Sequence, residues 1–257
     1  MDSELNIKML SSTEYESNFI LEHSTPAIAN KLRKHIMSNI PVFAIDTIEF
    51  IDNTSVLIND QIIQRLSYIP IVSSIVDDFN VYNECPCDKD CEKCSISFYI
   101  NVTNNTPEPL EVSSFDIHID NPNVTVYSDS KYSIPITRLT QNQTCHIRGK
   151  IKKGKGSQHS KWSPVGTVSY KFLPQFTFKR NLTTSEKEKL VRTCPMGVFK
   201  QVDDIEDLHI TESKCTVCNE CVYVFPDAIH MDFKTDSAVF KLESVGQLTV
   251  EEIMNRI

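Results

Sequence analysis

The clearest periodic pattern in the chain predicts a helix over residues 24–41. Apolar side chains recur at three- and four-residue spacing and form one stripe, made of Ile28, Ala29, Leu32, Ile36 and Ile40. Thr25 can cap the first turn, Pro26 suits the first helical position, and Pro41 ends the segment. The opposite face is rich in lysine and arginine. It is either an ordinary solvated face or a docking surface for an acidic partner.

Shorter patterns predict a strand over 42–50 and a helix over 60–69. Apolar and polar residues then alternate over 95–126 and 145–178, between turns rich in Asn, Pro and Ser. This alternation is typical of a mostly antiparallel β region. The lysines and glycines of 150–156 are irregularly spaced and predict a flexible basic loop, either a solvated hairpin tip or an interaction loop.

Two short helices are predicted from capping signals near the C-terminal end. A Thr-x-x-Glu box at Thr183 and Glu186, overlapped by a second box at Ser185, begins a helix that ends near Arg192. Another box, at Thr249, begins a helix of about two turns. A helix this short is not stable alone, so we expect it to pack against other elements.

Composition narrows the classes of function. The chain has 257 residues, 40% of them apolar, so one or two domains with a real core are expected. The 26 Lys and Arg against 34 Asp and Glu give a net charge of −8, which argues against binding driven mainly by nucleic-acid phosphates. An acidic start without an apolar stretch predicts no secretory signal, and the lack of a long apolar run predicts no membrane span.

Eight of the nine cysteines fall in two groups, which in a reducing compartment favours metal binding over disulfides. The first group is Cys85, Cys87, Cys91 and Cys94. Four thiolates fill the tetrahedron around one cation at about 2.3 Å each, and zinc is the usual occupant. Because no position remains for water, the predicted zinc site is structural. The ninth cysteine, Cys145, is expected to be a small buried apolar residue.

The second group has three cysteines at two-residue spacing and one upstream cysteine that precedes a proline, namely Cys215, Cys218, Cys221 and Cys194. Bacterial ferredoxins carry Cys-x2-Cys-x2-Cys-x3-Cys-Pro, whose fourth cysteine ligates the other cluster. Phe225 stands at that fourth position here, while Cys194 keeps the Cys-Pro pair. Four ligands are enough for one [4Fe-4S] cluster, and zinc in the same cage or an empty, partly oxidised fold are the alternatives.

Several motifs lie in one order along the chain. Residues 29–33, 40–46 and 65–70 read Ala-Asn-x-Leu-Arg, Ile-Pro-x-x-Ala-Ile-Asp and Arg-Leu-x-x-Ile-Pro. Residues 154–164 and 243–252 read Gly-x-Gly-x-x-His-x-Lys-Trp-Ser-Pro and Glu-Ser-x-Gly-x-Leu-x-x-Glu-Glu. With the first cysteine group, these blocks resemble the alpha-like subunit family of multisubunit RNA polymerases. The similarity is greatest to the third-largest subunit of eukaryotic RNA polymerase II and the archaeal D subunit.

The resemblance implies an α+β fold in three parts. The first part combines residues 1–50, 163–190 and 233–257, the second is 51–162, and the third is 191–232. The first is a discontinuous dimerisation domain, and the second is a mostly β insert domain with the zinc loop 85–94. The third is a small ferredoxin-like domain that holds the second cysteine group. The resemblance also places His159, Lys161 and Trp162, with a structural role, in the strand that re-enters the dimerisation domain.

The resemblance further implies a non-catalytic assembly platform of a DNA-directed RNA polymerase. Such subunits pair with a smaller alpha-like subunit, and the heterodimer binds the second-largest subunit and small zinc-binding subunits. Catalysis belongs to the two largest subunits, and no direct contact with DNA or a membrane is expected. The implied location is intracellular, in the nucleus of a eukaryote or in the virion or cytoplasm for a viral member. The alternatives are an iron-sulfur electron-transfer protein and a free-standing zinc adaptor.

Overall fold

The computed structural model describes residues 6–87, 91–127, 133–202 and 205–257, and the architecture is mixed α and β. The helices are α1 (Pro26–Ser38), α2 (Asn59–Ser67), α3 (Thr184–Thr193), α4 (Glu220–Val224) and α5 (Val250–Met254). The strands are β1 (Asn6–Ser12), β2 (Glu16–Glu22), β3 (Pro41–Asn53), β4 (Ser95–Asn104), β5 (Leu110–Ser113), β6 (His118–Ile119), β7 (Pro135–Leu139), β8 (Gln143–Lys155), β9 (Val165–Phe178), β10 (Phe199–Val202), β11 (Ile205–Ile210) and β12 (Ile229–Ser244).

The chain divides into two compact units, each assembled from separate stretches of sequence. The first comprises Ser17–Lys31 and Ser169–Lys241, together with the described residues before Ser12. The second comprises Ser12–Glu16, Leu32–Val168 and Leu242–Ile257. No helix in the described part of the chain has the length and apolar character needed to cross a bilayer.

The predicted helices are present, and their local signals explain where they begin. In α1 the hydroxyl of Thr25 accepts a hydrogen bond from the backbone N–H of Ile28 at 3.3 Å, as an N-cap does. The predicted apolar stripe of α1 is largely buried, with Ala29 and Ile36 fully inaccessible. Both α3 and α5 begin with reciprocal capping boxes, at Thr183 and at Thr249.

The second unit is built around an antiparallel sheet in the order β3-β8-β4-β6. Helix α2 covers it, and its Ile62 and Leu66 are fully buried in the same core as Phe43, Ile45 and Phe98. A two-stranded ribbon of β5 and β7 adds to this core. Cys145 is fully buried there, as expected, and burial raises the pKa of its thiol to about 11.

The predicted flexible loop at 150–156 is wrong, because β8 continues through Lys155. Strand β8 pairs with β3 on one side and β4 on the other, so Lys152 lies opposite both Ala44 and Ser95. Pairing on both sides gives the backbone N–H and C=O groups of this segment hydrogen-bond partners. The stability gained from this pairing outweighs the low strand propensity of its lysines and glycines. Lys150 donates to the Ser97 hydroxyl at 2.9 Å, so its charge does not need the solvent of a loop.

Steric crowding explains why β8 has glycine at positions 149 and 154. A Cβ atom at Gly149 would lie 2.6 Å from a ring carbon of Phe98 and would also collide with the carbonyl oxygen of Thr47. A Cβ at Gly154 would enter the indole ring of Trp162. These glycines therefore mark close approaches within a strand rather than a flexible segment.

The expected strand at His159, Lys161 and Trp162 is instead a turn. Ser160–Trp162 forms one 3-10 turn, and β9 begins only at Val165. The ring Nδ1 of His159 accepts a hydrogen bond from the backbone N–H of Lys161 at 3.1 Å, which closes the turn. Because this local bond competes with strand pairing, the segment forms a turn instead of the expected strand.

The first unit contains most of the sheet ordered β1-β2-β12-β9 and a separate β10-β11 hairpin. A second core joins α3, the hairpin and α4. Its buried members include Leu190, Phe199 and Phe225 together with two cysteines of the second group. Phe225, which stands where ferredoxins have a cysteine, therefore serves as a core residue.

Candidate metal centre

The first cysteine group forms a compact cage of sulfur atoms. The Sγ atoms of Cys85, Cys87, Cys91 and Cys94 all lie within 4.8 Å of one another. Three of the separations are 3.6 Å, joining Cys85 to Cys91, Cys87 to Cys94 and Cys91 to Cys94. A regular tetrahedron with metal–sulfur bonds of about 2.3 Å has edges of about 3.8 Å. The cage therefore has the dimensions of a four-cysteine site for one cation such as zinc.

Regular elements hold both ends of this metal loop. Cys85 follows the 3-10 turn Tyr82–Glu84, and Cys94 immediately precedes β4. The carbonyl of Cys91 accepts hydrogen bonds from the backbone N–H groups of Cys94 and Ser95, both at 3.0 Å. The last two cysteines are thus positioned by a tight turn at the start of a strand.

The thiols of the cage differ in acidity. A backbone hydrogen bond at Cys87 lowers the pKa of Cys85 to about 7, whereas burial raises the pKa of Cys94 to about 12. Metal ligation needs thiolates, and a bound cation supplies the positive charge that stabilises them. The Cys85 thiol is therefore more acidic than that of Cys94, and a cation in the cage would favour the ionised form of both.

A buried charge cluster lies beside the metal loop. The carboxylate of Asp46 lies 2.7 Å from the Lys161 ammonium and 3.3 Å from that of Lys152, whose side chains are only 10% and 8% exposed. Burial raises the pKa of Asp46, but the hydrogen bond and charge of Lys161 outweigh it, so the pKa lies below its ordinary value. The Lys152 ammonium also lies 3.6 Å from the centre of the Tyr82 ring.

This charge cluster connects the metal loop to the sheet. Tyr82 lies three residues before Cys85, and Ser95, which follows Cys94, lies opposite Lys152 in the strand register. Lys152 therefore contacts the segments at both ends of the metal loop. No sequence pattern indicated this role of Lys152, because the residue belongs to the stretch predicted to be a loop.

The second cysteine group lies in the first unit, where three elements bring its members together. Cys194 ends α3, Cys215 follows the 3-10 turn Glu212–Lys214, and Cys221 lies in α4. All four cysteines line one small pocket with a cavity volume of about 10 Å³, including the exposed Cys218. Among the described residues only the first group has all its ligand atoms within 4.8 Å. The sulfur atoms of the second group therefore stand further apart than those of the first.

The backbone around Cys218 has an unusual conformation. Val217 and Asn219 have φ of +62° and +64°, in the left-handed region that β-branched residues seldom adopt. The backbone N–H of Val217 points to the sulfur of Cys215 at 3.3 Å, and that of Val198 points to Cys194 at 3.4 Å. Such donors stabilise negative charge on sulfur. Strain of this kind is maintained only where the surroundings require it.

Burial and one lysine complete the setting of the second group. Burial raises the pKa of Cys215, and it raises the pKa of Cys221 to about 11. The ammonium of Lys171 donates to the carbonyl of Cys215 at 2.6 Å and places a positive charge beside the cage. No local pattern identified Lys171, which lies on β9 and is distant in sequence. For the left-handed backbone around Cys218, the one available sequence signal was Asn219, because Asn tolerates this conformation.

The second unit, with its antiparallel sheet and four-cysteine loop, has the features of a protein that can bind a metal ion such as zinc. Residues 28–168, more than half of the chain, match the family described as the RNA polymerase Rpb3/RpoA insert domain. The chain belongs to the Rpb3/RpoA family of RNA polymerase subunits.

Relatives in three organisms align with nearly the whole chain. The chain is 33% identical to the conjugation stage-specific protein of Tetrahymena thermophila, over 98% of this chain and 90% of that protein. It is also 33% identical to the DNA-directed RNA polymerase II subunit rpb3 of Dictyostelium discoideum, over 92% and 84%. Identity to the DNA-directed RNA polymerase subunit Rpo3 of Archaeoglobus fulgidus is 30%, over 97% and 91%. These relatives give no support to the electron-transfer alternative.

Proposed function

We propose that this chain is a non-catalytic assembly subunit of a DNA-directed RNA polymerase. The observation that carries the proposal is the alignment with polymerase subunits from a eukaryote and an archaeon over 92% and 97% of the chain. An alignment of this length includes both cysteine groups and both compact units. The chain is located where the polymerase works, and in a eukaryotic cell that compartment is the nucleus.

The partners follow from the family resemblance. The chain pairs with a smaller alpha-like subunit through a dimerisation domain formed by 1–50, 163–190 and 233–257. The pair then binds the second-largest subunit and the small zinc-binding subunits. The exposed basic positions of α1, Lys31 and Lys34, are available to acidic neighbours. The negative net charge is compatible with this role, since a platform subunit need not contact DNA.

The first cysteine group holds a structural zinc ion. The sulfur separations of 3.6 Å agree with a tetrahedral zinc site, and four thiolates leave no coordination position for a substrate. Zinc supplies a cross-link between Cys85, Cys87, Cys91 and Cys94. Because the apo thiols gain little from one another, the binding energy of the ion contributes directly to the folding of this loop.

The second cysteine group holds a [4Fe-4S] cluster. A cluster occupies the space between its ligands, so its cysteines stand further apart than those around a single ion. The sulfur atoms of the described second group are not all within 4.8 Å of one another, which favours the cluster over a single zinc ion, and the N–H donors aimed at Cys194 and Cys215 suit its negative charge. Iron bound there would join α3 to α4 and stabilise the fold of the first unit.

Affinity purification of the tagged chain from its native source at moderate salt tests the assignment. The co-purified proteins are identified by mass spectrometry, and zinc and iron are counted in the same sample. We expect the large polymerase subunits in stoichiometric amounts, about one zinc and about four irons per chain. Recovery of the chain alone would refute the assembly function, and a second zinc without iron would refute the cluster.

Two matched variants assign each metal to its site. Cys91→Ser should lose zinc and keep iron, whereas Cys218→Ser should lose iron and keep zinc. Each variant is the control for the other, because both replace one thiol by a hydroxyl. Loss of the same metal from both variants would contradict the assignment of two separate sites.

A further inference from the structure

A groove in the second unit lies apart from both cysteine groups. One wall is formed by the segment between β3 and α2, and the other by the β5-β7 ribbon. The groove has a volume of about 380 Å³ and is open to solvent. Val56, Leu57 and Pro135 supply apolar surface, and arginines stand at its sides. The functions assigned above to zinc and to the iron cluster do not use it.

The apolar wall is held rigidly by its own hydrogen bonds. The Asn53 side chain donates to the carbonyl of Leu57 at 3.1 Å and accepts from the backbone N–H of Ser55 at 3.1 Å. Leu57 packs on the core of the unit, whereas Val56 is 77% and Ile58 is 62% exposed. Two aliphatic side chains are therefore held in solvent by a preordered segment. Preordering of this kind lowers the entropy cost of binding a partner.

The charges of the groove select the occupant. Arg65 is oriented by a hydrogen bond of 2.8 Å from its Nη1 to the carbonyl of Ile136. On the β5-β7 ribbon, Arg138 lies 3.2 Å from its cross-strand partner Glu111. Two guanidinium groups against one carboxylate leave a net positive charge, in a chain whose total charge is −8. A further carboxylate is the group that matches the remaining guanidinium donors.

We propose that this groove binds a segment of another polymerase subunit that carries an Asp or Glu beside an apolar side chain. The apolar side chain covers Val56 and Pro135, and the carboxylate pairs with Arg65. This inference rests on the proposed assembly function, because it assigns a second contact surface within that assembly.

The test uses full-length chain co-expressed with the smaller alpha-like subunit and the second-largest subunit of the same source. Val56→Glu places a charge in the docked interface and should weaken assembly by at least about tenfold. The matched control is Phe115→Glu, because Phe115 is 58% exposed in the same unit and does not line the groove. Both variants should unfold at the wild-type temperature, since both side chains project into solvent.

A photo-reactive residue at position 56 should cross-link to a subunit segment that contains Asp or Glu.

Each result bears on a different claim. If the wild-type chain does not assemble with these subunits, the proposed function fails before any variant is compared. If the wild type assembles and Val56→Glu assembles as well as Phe115→Glu, the groove proposal alone is overturned. A cross-link to a segment without a nearby carboxylate would also overturn it.

Discussion

The buried charge cluster makes a quantitative prediction about stability. Replacing Asp46 by Asn removes the only negative charge in the three-residue set that it forms with Lys152 and Lys161, whose side chains are about nine-tenths buried. Removing one partner of a buried ion pair typically costs about 3–5 kcal/mol, because the remaining charge stays buried without compensation. Asn can still accept a hydrogen bond from Lys161, so we expect about 3 kcal/mol. For a domain of this size, that loss lowers the melting temperature by about 6–12 °C.

Glu49→Gln is the matched control for Asp46→Asn. Glu49 lies on the same strand, β3, and pairs with Arg148 at 2.9 Å, but both side chains are 61% exposed. A solvent-exposed pair contributes little, so this variant should melt close to the wild type. Thermal unfolding of the zinc-loaded chain at pH 7, followed by circular dichroism, measures both changes. Equal shifts for the two variants would refute the reasoning that burial gives Asp46 its effect.

The pH dependence of the same variant provides a second check. The folded pKa of Asp46 lies below the ordinary value of 3.8 for an aspartate, so its contribution is present above that value and lost as pH falls through the folded pKa. The difference between the wild type and Asp46→Asn should therefore be full at pH 7 and shrink below about pH 4. A difference that stays constant down to pH 3 would contradict the role of the ionised carboxylate.

Three further predictions concern the strand, the metal loop and a helix cap. Gly154→Ala should cost about 1–3 kcal/mol in urea unfolding, because its methyl group enters an indole ring, whereas Gly166→Ala, whose nearest neighbour would lie at 3.4 Å, should be tolerated. Cys91→Ser should release bound zinc and speed proteolysis within the metal loop, and Cys145→Ser should retain the metal, which elemental analysis can show. Thr183→Ala should cost about 1 kcal/mol and speed amide exchange in the first turn of α3, and unchanged exchange would contradict its capping role.

Local signals were sufficient to predict α1, α2, α3 and α5. The capping boxes at Thr183 and Thr249 and the apolar stripe of α1 depend on residues within one or two turns of each other. A sequence displays such short-range interactions directly, so the predicted segments agree with α1, α2, α3 and α5. The bounds differ by a few residues, because fraying at a helix end depends on tertiary contacts.

Cysteine spacing predicted which residues would meet, but not the backbone that brings them together. The sulfur atoms of the first group lie in one cage, and a turn that begins at Cys91 positions its last two cysteines. The second group depends on Cys194, which reaches the other three through α3 and the β10-β11 hairpin. The left-handed Val217 had no sequence signal, because a β-branched residue disfavours that conformation.

One packed cluster explains two observations. It explains why residues 150–155 form a strand rather than the predicted loop, and why the motifs at 40–46 and 154–164 contain the residue types they do. Asp46 lies in the block 40–46 and Lys161 in the block 154–164, yet the two side chains form a hydrogen bond of 2.7 Å across 115 residues of sequence. In the second block Gly154 leaves space for the Trp162 ring, whose Nε1 donates to the carbonyl of Lys152 at 3.1 Å. The residue types of the two blocks therefore specify one packed cluster beside the metal loop. A lysine-rich segment lies in the interior of the sheet because this cluster supplies the carboxylate and the aromatic rings that its charges require.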